Sequence, residues 1–245
     1  MFESDDEYYA DREYLTNSSL KMLNKSPTLF HMWLNKKGEN FSSTALEVGK
    51  AFHAISLEDK EVFVGYEGTR RGKEYMAFCE NNSDKIVLSK KDADMIYRMN
   101  DKLRKCPEAC DLMYNGGKAE VPALGEWDGI KIKGKADLVV DVDFSPGFLV
   151  DVKTTGSDLS DFPRQAKYQM NYDQQAAVYC KLFGVKRFYF VVITKSFPYE
   201  VGIYECSPEF IARGAEKAQQ AIDKYKQLFI QNEFKPYNAT EIKIL

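Results

Sequence analysis

The chain has 245 residues, 44% of them hydrophobic and 13% aromatic, with a formal net charge of −3. That is enough apolar material for a real core, which excludes a disordered chain, and no apolar run approaches bilayer-spanning length. Lysines and arginines are spread along the sequence, which argues against a protein coating DNA through one basic face but allows a cation-lined channel inside an acidic exterior. Five cysteines (Cys79, Cys106, Cys110, Cys180 and Cys206) and two histidines (His31 and His53) are too scattered for a structural zinc site, so free thiols in a reducing compartment are expected. The first residues, MFESDDEYYADREYL, lack the basic-then-apolar order of a signal peptide, which makes the cytosol the expected location.

In chain order, the first hundred residues read as mainly helical. LTNSSLKMLNKSPTLFHMWLNKKG places Leu20, Leu23, Phe30, Trp33 and Leu34 at near-helical spacing, with Ser26-Pro27 punctuating two short helices. SSTALEVGKAFHAISLED predicts an amphipathic helix capped by Ser43 or Thr44, with Glu47 in its first turn. VGYEGTRRGKEYMAF reads as a loop carrying Arg70 and Arg71, then a helix. A further helical stretch stops at Gly116-Gly117. The period then changes to two. KAEVPALGEWDGIKIKGKADLVVDV alternates and turns at Asp128-Gly129, SPG reads as a second turn, and FLVDVKTT is a third strand. A helix capped at Ser160 or Asp161 runs to Gly184; KRFYFVVITK is a buried strand, YEVGIYEC its antiparallel partner, and a last helix closes the chain. The expectation is one α/β domain over residues 1–245, with a helical layer over 1–117, an α/β core over 118–231 and a tail over 232–245.

The stretch that carries chemistry is GKADLVVDVDFSPGFLVDVKTTG, Gly134 to Gly156. Side chains alternate along a strand, so Asp151 and Lys153 share a face, and a hairpin partner brings Asp137 beside them. Close carboxylates repel one another, and a hard divalent cation relieves that repulsion while making a bound water more acidic. The residues themselves therefore propose metal-assisted phosphodiester hydrolysis. An Asp-x-Lys pair on a strand is more often a solvated ion pair; the apolar FLV before it, the helix after it and the second aspartate one hairpin away are what raise the reading.

These residues resemble the PD-(D/E)xK nuclease superfamily, with Asp137 as first acidic residue and Asp151-Val152-Lys153 as the second acidic residue and lysine. The QAAVY that follows, Gln175 to Tyr179, is similar to the Q-x-x-x-Y motif of the branch holding RecB-type, lambda-exonuclease-like and RecE-type enzymes. LTNSSLKMLNKSPTLFHMW, GKAFHAISLE and RRGKEYMAF resemble segments of the RecE type, exodeoxyribonuclease VIII, so that the likeness runs from about Tyr14 to about Gln231. It implies a restriction-endonuclease-like core, a mixed central β-sheet flanked by helices under a helical N-terminal layer. It implies Asp137, Asp151, the Val152 carbonyl and His53 as metal ligands, Lys153 as holder of the attacking water, Glu120 as a supporting acid, and Gln175 and Tyr179 as contacts to that water and the DNA backbone. Thr16 and Ser18, with Arg70 and Arg71, would bind a 5′-phosphate or the backbone.

Each assignment has a plain counterpart: a helix histidine bonded to a neighbour, an edge-strand charge at Glu120, core packing for Tyr179, a solvated loop pair for Arg70 and Arg71. The likeness further implies two magnesium or manganese ions per site and 5′-to-3′ removal of nucleotides from duplex DNA ends. It implies a ring-shaped homo-oligomer, a single-strand annealing partner and a bacterial host cytosol. The four-cysteine pattern of related iron–sulphur nucleases is missing, so neither that cluster nor zinc is expected. The rival readings are an endonuclease or a repair or CRISPR-adaptation nuclease on the same core, and a catalytically idle DNA-binding module.

Overall fold

The computed structural model describes residues 4–36, 43–114, 116–142 and 145–235. Several helices begin where a serine or threonine supplies a capping oxygen. Ser4 caps α1 (Asp5–Ala10). A two-residue strand, β1 (Leu15–Thr16), ends on Thr16, which caps α2 (Asn17–Lys25) in a reciprocal capping box with Ser19. Ser26 both ends α2 and caps α3 (Pro27–Leu34), as the Ser-Pro punctuation predicts. Ser43 caps α4 (Thr44–Glu58). There the reading of a plain loop fails. β2 (Phe63–Tyr66) and β3 (Ile86–Ser89) form a small parallel sheet bracketing α5 (Gly72–Asn81). Four residues are too few to show alternation; these strands hold because Phe63 and Leu88 are buried against α4 and the helix after β3, α6 (Lys90–Arg104). The short α7 (Pro107–Met113) completes this layer.

The main sheet is mixed. β4 (Gly117–Trp127) and β5 (Ile130–Val142) form the expected antiparallel pair, and Asp128 and Gly129 both take the positive φ that a tight two-residue turn needs. β6 (Ser145–Thr155) runs antiparallel to β5, pairing Val142 with Ser145, so Ser145–Gly147 belong to the strand. The turn expected at Ser145–Gly147 is therefore not found there. β7 (Arg187–Thr194) is parallel to β6 and antiparallel to β8 (Val201–Glu205). Buried on both faces from Phe188 onward, β7 is the continuous apolar run of a central strand. One edge of β5 forks: β1 pairs with it at Ile132 and Lys133, while β6 joins only from Leu138.

The helix expected from Asp161 to Gly184 is two helices. α8 (Phe162–Tyr168) stops, Asn171 adopts a left-handed φ of 48°, and α9 (Tyr172–Phe183) begins afresh. Asparagine tolerates that conformation, and Asn171 Oδ1 accepts from the Lys217 ammonium at 2.7 Å. α10 (Pro208–Tyr225) lies on α9 around Asp173, fully buried and ion-paired to Arg213 and Lys217 at 2.7 and 2.8 Å. The backbones approach so closely that a Cβ at Gly214 would stand 1.9 Å from the Asp173 carbonyl oxygen.

The core lies on both sides of the sheet. Val150, Val152, Val191 and Ile193 meet α4 and α6 on one side; Leu149, Phe188, Phe190 and Val192 meet α8 and α9 on the other. A third cluster joins α2 and α3 to α10 through Leu20, Leu23, Phe30 and Ala221. Among the described residues no helix is long and apolar enough to cross a membrane.

Replacing Gly214 with alanine is expected to cost about 3 kcal/mol or more, because the obstructing atoms are backbone that cannot swing aside. Thermal unfolding checks this; an unchanged melting temperature would contradict the packing.

Candidate active site

Between α4, the β5–β6 fork and the N-terminal segment opens a cleft of about 1050 Å³, lined among others by Thr16, Ser18, His53, Glu120, Asp137 and Lys153. At its floor, the register pairing Leu138 with Val150 carries Asp137 alongside Asp151. Asp137 Oδ2 accepts from the Val152 amide at 2.9 Å and lies 3.6 Å from His53 Nδ1. His53 reaches it from α4, where Val48, Ala51 and Phe52 fix the buried face of the helix. Its Nε2 stands 2.6 Å from the Val152 carbonyl oxygen. A carbonyl only accepts, so Nε2 carries a hydrogen, and Nδ1 is the ring nitrogen turned to Asp137.

Glu120 completes this cluster through a backbone irregularity. It takes φ of 53° within β4 and is missing from the ladder between Ala119–Leu138 and Val121–Ala136. A non-glycine residue in that region costs of order 1 kcal/mol or more and is characteristic of functional sites. Ligand atoms of His53, Glu120 and Asp137 all lie within 4.8 Å of one another. Lys135 pairs with Glu120 Oε2 at 2.7 Å.

Asp151 has a different setting. It is 1% exposed, its Oδ1 accepts from the Gln175 side-chain amide, and its Oδ2 is 2.6 Å from the Lys153 ammonium. That last contact is close but poorly aligned, and Oδ2 has no well-directed hydrogen bond. Burial first, and the charge of Asp137 second, push the Asp151 carboxyl up to about 6 despite Lys153 and His53. Burial alone would lower the Lys153 pKa; the Asp151 and Asp137 carboxylates outweigh it and raise it, so Lys153 is an ammonium at neutral pH.

The expected helix pair divides. Gln175 holds Asp151, and its neighbour Gln174 donates to Asn17 Oδ1 at 3.1 Å, tying α9 to α2. Tyr179, four residues on and so on the same helical face, lies against β5, where a Cβ at Gly134 would come within 2.9 Å of its ring. Its hydroxyl is pushed well above the usual range by burial, then by Asp151 and Asp137. Thr16 and Ser18 do line the cleft, although the Thr16 hydroxyl is already accepting from the Ser19 amide at 3.1 Å. Arg70 and Arg71 are not brought there: Arg70 donates to the Val87 carbonyl at 3.1 Å beside Tyr75, and Arg71 precedes α5.

Sequence reasoning missed the aromatic and cationic flank. The Tyr172 ring has Lys153 at 5.1 Å and Lys21 at 5.3 Å from its centroid. Burial and the neighbouring Lys153 lower the Lys21 pKa to about 8. Lys21 follows the Ser18-Ser19-Leu20 run one helical turn in, and a helical projection of that segment would have found it.

One nitrogen and two carboxylates around an open point, with a poorly satisfied carboxylate oxygen nearby, fit a hard divalent cation that completes its coordination with water or phosphate oxygens. A family model for a PDDEXK-like domain of unknown function (DUF3799) matches residues 16–245. The chain belongs to this family. Among solved structures it is similar to a "Putative exonuclease" from Eubacterium rectale, 19% identical over 98% of this chain and 90% of that one, with a TM-score of 0.71. At that identity the likeness speaks for the fold. A phage related exonuclease from Haemophilus somnus 129PT is 13% identical over 89% of this chain and 96% of that one, at a TM-score of 0.39 that carries no weight. No curated protein matches the chain. The PD-(D/E)xK resemblance and the mixed α/β architecture expected from the sequence are thus both met.

A proton and a cation compete for the same carboxylates. Because the raised pKa of Asp151 puts its protonation near pH 6, the rise in melting temperature caused by manganese should be full at pH 8 and fade as pH falls through about 6. Imidazole ligands also yield metal to protons in this range, so the thermal shift with and without manganese is read for wild type and for Asp151→Asn. A fade near pH 6 that is unchanged in the variant would assign it to a group other than Asp151.

Proposed function

We propose that the chain is a divalent-metal-dependent deoxyribonuclease that removes nucleotides from the ends of duplex DNA. The observation that carries the reading is the meeting of the His53, Glu120 and Asp137 cluster with Lys153, which the buried Asp151 holds, on the floor of one cleft. His53, Glu120 and Asp137 would hold the cation, magnesium or manganese, with Asp151 close enough to serve a second. A cation so held neutralises phosphoryl oxygens and makes water a better nucleophile.

The chain's own residues supply the rest. Lys153, kept protonated by Asp151, acts as a fixed hydrogen-bond donor that orients the attacking water and stabilises charge growing on the phosphate. Gln175 holds the other oxygen of Asp151, so the lysine is positioned through two elements. Water oxygen bonds to phosphorus and releases a proton to solvent, the bond from phosphorus to the leaving nucleotide oxygen breaks with its electron pair passing to that oxygen, and that oxygen takes a proton from solvent. Tyr179 walls the site, and Thr16 and Ser18 at the start of α2 offer donors to a terminal phosphate.

The RecE-type resemblance supports the finer parts of the proposal: 5′-to-3′ polarity, a ring-shaped homo-oligomer threaded by DNA, a single-strand annealing partner and action in a bacterial cytosol. A ring suits a chain of net charge −3, since cations need only line the hole.

A linear duplex labelled at one 5′ end should be degraded with magnesium or manganese and be intact in EDTA, while closed circles survive. Lys153→Ala should slow digestion by roughly a thousand-fold, the scale of a lost transition-state donor. Cut circles would favour an endonuclease. Salt-sensitive binding without cleavage in any divalent metal would mean an idle DNA-binding module.

A further inference from the structure

The chemistry above makes no use of residues 8–12, yet the fold fixes them beside the site. Lys133 of β5 is 1% exposed, and a buried ammonium is tolerated only when its protons are bonded. Its partners belong to this segment: the Tyr8 carbonyl, the Asp11 carbonyl at 3.2 Å and the Asp11 carboxylate at 2.9 Å. Arg12 lies 4.6 Å over the Trp33 ring and donates to the Tyr9 and Asp11 carbonyls. The segment lies ahead of residues 16–245, the part matched by the family.

What this pinned segment shows to the cleft is aromatic. Tyr8 is buried; Tyr9, edge-on to it at 5.2 Å, lines the cleft and is 61% exposed. The Lys135 ammonium stands 5.7 Å from the Tyr9 ring centroid and 2.7 Å from Glu120 Oε2, so a single lysine separates the ring from the metal-ligand cluster. The acidic groups of the segment are already engaged: Asp11, in the cleft wall, is bonded to Lys133, and Glu13 to Lys131. That distribution does not suit a strap that mimics DNA by placing carboxylates on the catalytic lysine. It suits a flat apolar face held rigidly where a polyanion's end must arrive.

We propose that Tyr9 is a stacking platform for the unpaired nucleobase at the DNA end being processed. The proposal rests on the nuclease reading. Every base has a π face, so such a contact positions the end without reading its sequence.

The test uses a short duplex with a 5′-phosphorylated overhang ending in 2-aminopurine, whose fluorescence is quenched on stacking. Binding is measured with calcium and cleavage with magnesium. Wild type should quench the probe. Tyr9→Ala should lose the quench and bind about ten-fold more weakly, with its melting temperature unchanged, while Tyr9→Phe and Tyr9→Trp should behave as wild type. Replacing the terminal nucleotide by an abasic one should cost wild type the same ten-fold and Tyr9→Ala nothing further. Equal binding by wild type and Tyr9→Ala, an abasic penalty that persists in Tyr9→Ala, or faster cleavage by Tyr9→Ala would each overturn the proposal; the last would mean that the segment covers the cleft. A Tyr9-dependent quench without cleavage in magnesium or manganese would uphold the stacking site and remove the nuclease reading instead.

Discussion

A carboxylate taken out of water must be compensated or it will not stay charged, and Asp151 is the point where this protein meets that constraint. Lys153 is two residues along the same strand, the one spacing that keeps two strand side chains adjacent on a face. Gln175 must then arrive from across the layer, which requires α9 to start afresh after Asn171 and to be clamped on α10 through Asp173. The doubly buried β7 completes the enclosure from the other flank. Much of the α/β core can thus be understood as the framework that holds one charged oxygen pair in a low-dielectric place.

The compensation is incomplete, and chemistry enters through that gap. Lys153 answers the charge of Asp151 but leaves Oδ2 without a well-aligned bond, while His53, Glu120 and Asp137 hold an excess of negative charge at the cleft floor. Fixed charges arranged in advance need not reorganise when a phosphate develops further charge, and that is where such sites gain most of their effect. The left-handed Glu120 is the local cost of bringing a third candidate ligand to His53 and Asp137, where a regular strand would turn it away.

The sequence disclosed the parts governed by short-range periodicity. Alternation and the Asp128-Gly129 turn gave β4 and β5, and the strand face shared by Asp151 and Lys153 followed from geometry alone. The Ser26-Pro27 break marked the start of α3, and a cap at Ser43 or Thr44 that of α4, where Ser43 takes the role. What escaped had causes acting over long range. β2 and β3 are too short to carry a pattern and exist by burial against distant helices. The break at Asn171 depends on Lys217, and the role of Lys133 on a segment more than a hundred residues earlier. The DNA-binding role of Arg70 and Arg71 is implied by the family resemblance, against a solvated loop pair from the residues alone; the fold turns Arg70 onto the backbone of β3. Tyr8 and Tyr9 gave no signal beyond an aromatic pair in an acidic stretch.

The fork along β5 has a consequence in time. Its two arms come from residues 15–16 and from the strand beginning at Ser145, and the ligand cluster spans His53 to Asp137. Contacts of such separation close late, after local helices and the β4–β5 hairpin have formed. A half-folded chain therefore holds His53 and Asp137 apart, and the cluster comes together only as the long-range contacts of the fold close.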